Sequence, residues 1–168
     1  MQITNFFRFL GIGLVPLFFS FNLSAQAYPN KPVTVIVPFS AGSASDVVTR
    51  VLLEKVSSNT NTRFIFDNRP AAGGNVGTAA VVKAEPDGYT IGLSTSGPLA
   101  VNKILNPDLG YDPERDLQPI ALFAILPNII VVSSTLNINN LSQLNDYIRK
   151  TPDVAYGSVG NGSSQHLA

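Results

Sequence analysis

The sequence of 168 residues contains no cysteine, which excludes disulfide bonds, cysteine-ligated zinc and thiol catalysis. His166 is the single histidine, so a site built from several histidines is excluded as well, and we predict neither a metal nor a cofactor. Charged residues make up 13% of the chain, with 11 basic residues balancing 11 acidic ones. Nucleic-acid-binding proteins usually carry a basic excess, so this balance argues against a nucleic-acid partner.

Residues 1–27 have the pattern of a secretory signal peptide. Arg8 supplies a positive charge, residues 9–21 form an apolar run, and Ser-Ala-Gln-Ala at 24–27 fits a cleavage site after Ala27. The alternative is an uncleaved membrane anchor, but the apolar run is shorter than the ~20 residues that a membrane-spanning helix needs. We therefore expect an exported protein that works outside the cytoplasm.

Predicted strands and helices alternate along the first part of the mature chain. Hydrophobic residues make up 45% of the sequence, enough for a packed core. Apolar runs predict strands at 33–37, 64–66 and 89–93, and helical spacing predicts helices at 46–56, 77–84 and 98–105. Ser43 and Asp46 fit a capping pattern at the start of the first helix. This alternation predicts an α/β fold with a mostly parallel sheet.

The last third of the chain continues the pattern and then stops. The long apolar stretch at 120–133, broken by Pro127, predicts two strand pieces with a bend. A helix is predicted at 142–150 with an N-cap at Asn140 or Ser142, followed by a strand at 154–157. Residues 165–168 resemble the first turn of another helix, so we expect that the chain lacks the rest of its fold.

Three loops of small polar residues, at 40–45, 94–97 and 158–164, each follow a predicted strand and precede a predicted helix. Ligands of open α/β sheets bind at the carboxyl ends of the strands, where helix N-termini present unpaired amides and a partial positive charge. Glycines in the loops allow close approach of the backbone, and the hydroxyls donate or accept hydrogen bonds. A small carboxylate suits such a site, although ordinary connections capped by serines are the alternative.

A triad of serine, histidine and aspartate is the enzyme mechanism that these residues could supply. Its members would be Ser163 or Ser164, His166 and Asp46, because the chain has one histidine. No G-x-S-x-G motif is present. Ser164 and His166 are two residues apart, so on a helix their side chains would not face each other. A binding protein is therefore preferred, with a serine-dependent hydrolase or transferase kept as the alternative.

Six sequence motifs resemble the extracytoplasmic solute receptors of the tripartite tricarboxylate transporters, known as Bug proteins. The matching stretches are YPNKP at 28–32, VPFSAGSASD at 37–46, NRPAAGGN at 68–75, PDGY at 86–89, YDP at 111–113 and YGSVGNGSSQHL at 156–167. They follow the order and spacing of the family and cover nearly all of the mature chain. Ser43 departs from the pattern, since the family usually has a second glycine there.

The resemblance implies a periplasmic binding protein of type II, with two lobes that close on the ligand. The first lobe would span residues 28–125 without its return segment, and residues 126–168 would begin the second lobe. Members of the family bind small carboxylates and deliver them to membrane permease subunits, so we expect a monomeric, non-enzymatic transport receptor. A sensor that presents the ligand to a membrane kinase is an alternative role for the same pocket.

The motifs also imply which residues bind the ligand. They are Phe39, Ser40, Ala41, Gly42 and Asp46 in the first loop, Ser94 and Asn102 after the third strand, and Ser158, Gly160, Gly162 and His166 in the last loop. Asp46 is expected to shape its loop by accepting backbone amides rather than to meet an anion. Since the second lobe would be incomplete, we expect weak binding and exposed apolar surface at about residues 120–132.

Overall fold

The computed structural model describes residues 27–168, so the predicted signal peptide lies outside the described residues except for Ala27. The strands are β1 (Val33–Val37), β2 (Phe64–Asn68) and β3 (Thr90–Gly92). The helices are α1 (Ala44–Thr60), α2 (Asn75–Val82), α3 (Asn102–Leu105), α4 (Pro113–Asp116), α5 (Leu141–Lys150) and α6 (Ser164–Leu167). Short 3-10 turns cover Ala72–Gly74 and Ser134–Leu136, and a π-helical turn, Gly97–Val101, leads into α3.

The three strands form one parallel sheet in the order β2-β1-β3. Val35 in the middle of β1 lies opposite Phe66 on one side and Ile91 on the other. Four of the five β1 residues are buried, and Val37 at its carboxyl end is 0% exposed. The β-branched run thus forms the central strand, which confirms the predicted α/β fold with a parallel sheet.

Helix α1 begins and ends at the residues that its capping chemistry selects. The Ser43 side chain accepts a hydrogen bond from the Asp46 amide at 3.3 Å, as the capping pattern predicts. Asn61, with φ 56°, ends the helix in the left-handed conformation that asparagine tolerates. The helix is longer at both ends than the predicted span of 46–56.

The predicted strands at 120–133 and 154–157 are wrong: neither range contains a strand in the structure. Strand propensity expresses the packing of side chains on a paired, half-buried surface. No strand of residues 27–168 pairs with either segment. Without such partners the apolar side chains stay in solvent, and Ile125 is 84% and Val131 83% exposed. The expected exposure of apolar surface between residues 120 and 132 is therefore confirmed.

The elements at the end of the chain match the predicted helices. Helix α5 starts after Asn140, whose side chain accepts a hydrogen bond from the Gln143 amide at 3.0 Å. Helix α6 forms where the first turn of a helix is predicted, with Ser163 as its N-cap. Among residues 27–168, no helix has the length and hydrophobicity needed to cross a bilayer. The lobe boundary at residues 125 and 126 stays a prediction.

Candidate functional site at the carboxyl edge of the sheet

The first loop leaves β1 at the carboxyl edge of the sheet and enters α1. Its amide at Gly42 donates to Asp46 Oδ2 at 2.8 Å, so Asp46 holds the loop through a backbone hydrogen bond, as expected from the sequence. Ser40 and Ala41 form the exposed tip of the loop. Ser43 and Asp46 cover part of the helix end, and the Val47 amide bonds to the Ser43 carbonyl oxygen at 2.9 Å.

Asp46 is charged in the folded protein despite being 1% exposed. The hydrogen bond from Arg50 lowers the pKa of this carboxyl from 3.8 to about 2, and bonds from Asn68 and Gly42 act in the same direction against the effect of burial. The Arg50 guanidinium neutralises the charge at 2.9 Å. Asp46 therefore organises the loop without presenting a free negative charge to a ligand.

Phe39 connects the first loop to the turns that follow the two neighbouring strands. The Phe39 ring is half-buried, and an added Cβ at Gly74 would lie 3.3 Å from it. The same Cβ would lie 3.0 Å from the buried ring of Pro98. Glycine at position 74, with φ 100°, thus lets the turns after β2 and β3 approach Phe39 closely.

The last loop, residues 158–163, packs against the turns after β2 and β3. A Cβ at Gly97 would lie 2.5 Å from the backbone oxygen of Gly162, and a Cβ at Gly73 would lie 2.5 Å from that of Asn161. A Cβ at Gly162 would collide with the side chain of Asn102. These contacts between backbones bring the last loop to the same edge of the sheet as the first.

Asn102 and Ser94 support the turns that follow β2 and β3. Asn102 is 3% exposed, and its Nδ2 donates to Asn75 Oδ1 at 2.6 Å. The hydroxyls of Ser94 and Thr78 share a hydrogen bond of 2.9 Å, which ties the turn after β3 to α2. Both predicted site residues therefore have protein partners in this structure, and their side chains support the turns.

Ser158, at the start of the last loop, and His166, in α6, are both exposed. The Ser158 hydroxyl accepts a hydrogen bond from the Gly160 amide at 3.3 Å. The exposed His166 ring lies 3.4 Å from the Tyr156 hydroxyl. The structure thus joins Phe39, Asn102, Gly160 and Gly162 through the turns at 73–74 and 97–98, whereas His166 faces Tyr156.

The residues of the alternative triad are occupied by structural bonds. The Ser163 hydroxyl donates to the Gly160 carbonyl oxygen at 2.7 Å and accepts from the backbone amide of His166 at 3.2 Å. The His166 imidazole contacts Tyr156, and Asp46 bonds to Gly42, Arg50 and Asn68. Among the described residues, neither a serine hydroxyl nor a carboxylate forms a hydrogen bond with the His166 imidazole.

A concavity in the described part of the chain is lined by residues other than those that pack at this edge. It is a groove of about 530 Å³ lined by residues 128–130, 132, 138–141 and 144. Most of its lining is apolar, Ile129 in it is 79% exposed, and it contains no predicted site residue. The geometry of the loops, rather than this groove, corresponds to the sequence motifs. Residues 27–168 also contain no group of three or more histidine, aspartate or glutamate side chains able to hold a metal ion.

Two residues outside the first loop, Arg50 in α1 and Asn68 in β2, support it although the sequence motifs do not identify them as site residues. Arg50 and Asn68 both bond to Asp46, although they lie four and 22 positions away in the sequence. The four-residue spacing from Asp46 to Arg50 on a helix is a recognisable signal for an ion pair. Asn68 carries no such signal, because its proximity depends on the pairing of β1 with β2.

Sequence comparisons identify relatives over most of the chain. A profile described as tripartite tricarboxylate transporter family receptor matches residues 48–168. Protein BugT of Bordetella pertussis is 34% identical over 169 aligned positions, which cover 99% of this chain and 52% of BugT. A UPF0065 protein from the tcbD-tcbE intergenic region of Pseudomonas sp. is 36% identical, with 85% of this chain and 43% of that protein covered.

Solved structures show the same fold. An R. palustris protein with adipate matches with a TM-score of 0.79 and 33% identity, over 83% of this chain and 47% of that one. MatC from Rhodopseudomonas palustris with bound malate matches with a TM-score of 0.68 and 28% identity, over 73% of this chain and 42% of MatC. A further match, described as the structure of a periplasmic transporter, has a TM-score of 0.80, 35% identity and covers 84% of this chain and 48% of that one.

The chain spans about half the length of the relatives it matches. The solved structures nevertheless match 73–84% of this chain. The profile covers residues 48–168, well over half of the sequence. The chain therefore belongs to the family of tripartite tricarboxylate transporter receptors, with the α/β fold of a periplasmic binding protein.

Proposed function

We propose that this chain is a periplasmic, non-enzymatic receptor that binds a small dicarboxylate at the carboxyl edge of its sheet and delivers it to membrane subunits of a transporter. The observation that carries the proposal is the contact of the last loop with the turns after β2 and β3. Through Gly97 and Gly162 this contact places backbone from separate loops at one edge of the sheet. Related structures whose descriptions name adipate and malate support a dicarboxylate as the ligand.

The ligand carboxylate would meet backbone amides and hydroxyls rather than a basic side chain. Within the first turn of α1, the Asp46 and Val47 amides already have acceptors, which leaves those of Ala44 and Ser45 for a ligand. The partial positive charge of a helix N-terminus favours an anion at this position. Arg50 bonds to Asp46 and Asn68 through Nε and Nη2.

The ligand-binding set remains the eleven residues proposed from the motifs, with distinct roles suggested by their contacts. Ser40 and Ala41 are exposed and would touch the ligand, and Phe39 would form an apolar wall. Asn102 and Ser94 would act through the turns they support. The proposed lobes, 28–125 and 126–168, would meet where Gly162 packs on Gly97.

A titration with adipate, malate and the uncharged diamide of adipate tests this proposal. Protein purified from the periplasm of an expressing strain should release heat with the two dicarboxylates and none with the diamide. We expect dissociation constants of about 1 mM, equivalent to roughly 4 kcal/mol, because the ligand meets amides of the loops with little enclosure. Each ligand should be recovered unchanged after incubation. Equal heat from the diamide, or consumption of a ligand, would contradict the proposal.

Delivery to a transporter is tested separately from binding. The family is defined by receptors of tripartite tricarboxylate transporters, and membrane subunits are therefore the proposed partner. Membrane vesicles that contain the cognate subunits should take up radiolabelled dicarboxylate only when the receptor is added. Uptake that is independent of the receptor would exclude this role, and stimulation of a membrane kinase instead would favour the sensor alternative.

A further inference from the structure

Three side chains from α1 and β2 form a closed ring of hydrogen bonds beneath the first loop. Arg50 Nε donates to Asp46 Oδ2 at 2.9 Å, and Arg50 Nη2 donates to Asn68 Oδ1 at 3.0 Å. Asn68 Nδ2 completes the ring by donating to Asp46 Oδ1 at 3.0 Å. Each member of this ring therefore bonds to both of the others.

The ring also bonds to both ends of the loop segment from Phe39 to Gly42. Asn68 Nδ2 donates to the backbone oxygen of Phe39 at 3.0 Å. At the other end, the Gly42 amide donates to Asp46 Oδ2 at 2.8 Å. The two exposed residues between these anchors are Ser40 and Ala41, which belong to the proposed ligand set.

The surroundings of the ring restrict the movement of its side chains. The Asp46 side chain is 2% exposed, whereas Arg50 is 41% exposed and closes the ring from the solvent side. The Arg50 guanidinium lies over the Phe66 ring, 4.2 Å from its centre, which limits the rotation of the planar group. No buried polar side-chain atom of the described residues lacks a hydrogen-bond partner.

We propose that Arg50 and Asn68 are positioning residues that, together with Asp46, hold the Ser40 and Ala41 backbone in the conformation that receives the ligand carboxylate. The inference rests on the proposed function, because it assigns a purpose to the ordered loop. Neither residue touches the ligand. Lysine in place of Arg50 would keep the charge but lose the fork that bonds two partners, and aspartate in place of Asn68 would lose both donated bonds.

Amide hydrogen exchange and adipate titration of the full chain, both followed by NMR, test this inference. In Arg50→Lys and Asn68→Asp, the Gly42 amide should exchange about 10- to 100-fold faster, as expected when a charge-assisted bond is lost. The Val35 amide, in the central strand, should keep its protection. The affinity for adipate, measured from the chemical-shift changes at Ser40 and Ala41, should fall by a factor similar to the increase in Gly42 exchange.

Arg69→Ala provides the matched control. Arg69 adjoins Asn68 in the sequence, but it pairs with the half-exposed Asp67 at 2.8 Å and has no bond to the ring. This variant should leave Gly42 exchange and the response to adipate unchanged. Equal loss of protection at Gly42 and Val35 in the ring variants would show a role in general stability and overturn the inference.

The outcomes separate this inference from the proposed function. If the unmodified chain does not respond to adipate or malate, the proposed function fails, and the assignment of Arg50 and Asn68 to ligand positioning fails with it even if Gly42 exchange increases. If the unmodified chain responds and the ring variants respond equally, the proposed function stands and the inference alone is overturned. Faster Gly42 exchange together with a weaker response to adipate supports both.

Discussion

Replacing Gly97 with alanine should separate the last loop from the sheet edge. The added Cβ would lie 2.5 Å from the backbone oxygen of Gly162, whereas a close carbon–oxygen contact is about 3.3 Å long. One of the two backbones must therefore shift by roughly 1 Å. Gly97 does not have a left-handed φ, so alanine introduces the contact without conformational strain. The variant thus tests the packing between the loops directly.

The cost of this overlap sets the size of the expected effect. An extra methyl group in a packed contact costs ~1–3 kcal/mol. In the described part of the chain, the hydrogen bonds of residues 158–163 stay within the last loop and α6, so we expect the loop to undock rather than the sheet to unfold. That free energy corresponds to an increase of about 5- to 150-fold in the exchange rate of an amide that the docked loop protects. Ser163 reports on docking, because it is 4% exposed and its amide nitrogen would lie 3.6 Å from a Cβ at Gly73 in the turn after β2.

The assay is amide hydrogen exchange of Gly97→Ala beside Gly157→Ala. A Cβ at Gly157 would meet nothing within 4 Å, so this control adds the same methyl group without an overlap. Ser163 should lose protection in the first variant only, while Val35 in β1 stays protected in both. Unchanged protection of Ser163 in Gly97→Ala would refute the contact between the last loop and the turn after β3.

Three further predictions concern the sheet, the charge and the exposed surface. In Gly77→Ala the Cβ would lie 2.6 Å from Pro38 Cα. The free energy of unfolding measured in urea should therefore fall by about 1–2 kcal/mol, even though alanine raises helix propensity by up to ~1 kcal/mol. An unchanged urea midpoint would contradict this prediction. The pKa of Asp46 is about 2 in the folded protein against 3.8 ordinarily, so the stability that its charge contributes is complete above about pH 4 and is lost as the pH falls towards about 2. We expect this contribution to the free energy of unfolding to be ~1–2 kcal/mol, because solvent around the half-exposed Arg50 weakens the pair, and to be absent in Asp46→Asn. Residues 120–132 should bind a hydrophobic dye, and the absence of dye binding would count against their exposure.

The sequence predicted the elements whose stabilising partners are nearby. The β-branched run of β1 identified the central strand, and Ser43 identified the start of α1 through its own capping bond. Helix α5 followed in the same way from Asn140. These signals are local, so the composition and spacing of a few residues determine them.

The strand pieces predicted at 120–133 and the strand predicted at 154–157 do not form, because strand formation depends on distant partners. Residues 120–133 are as apolar as β1, yet Ile125 and Val131 face solvent and no neighbouring strand pairs with them. A residue pattern reports that a segment suits a sheet, whereas pairing requires a second segment at the right place.

The candidate site was predictable in its location but not in its internal contacts. Parallel topology alone places the loops after β1, β2 and β3 at one edge. The bonds from Asn68 to Phe39 and to Asp46 span 29 and 22 positions, and the contact between Gly97 and Gly162 spans more than 60. Such contacts depend on tertiary packing, which no local motif encodes.

The proposed site places a small carboxylate where the loops meet at the carboxyl edge of the sheet. Its most direct test is the map of amide chemical-shift changes during an adipate titration of the full chain. We predict changes at residues 40–45, 94–97 and 158–162 that saturate together, with none in the groove at residues 128–144. Saturable chemical-shift changes confined to that groove, or no change at the three loops, would contradict carboxylate binding at this edge of the sheet.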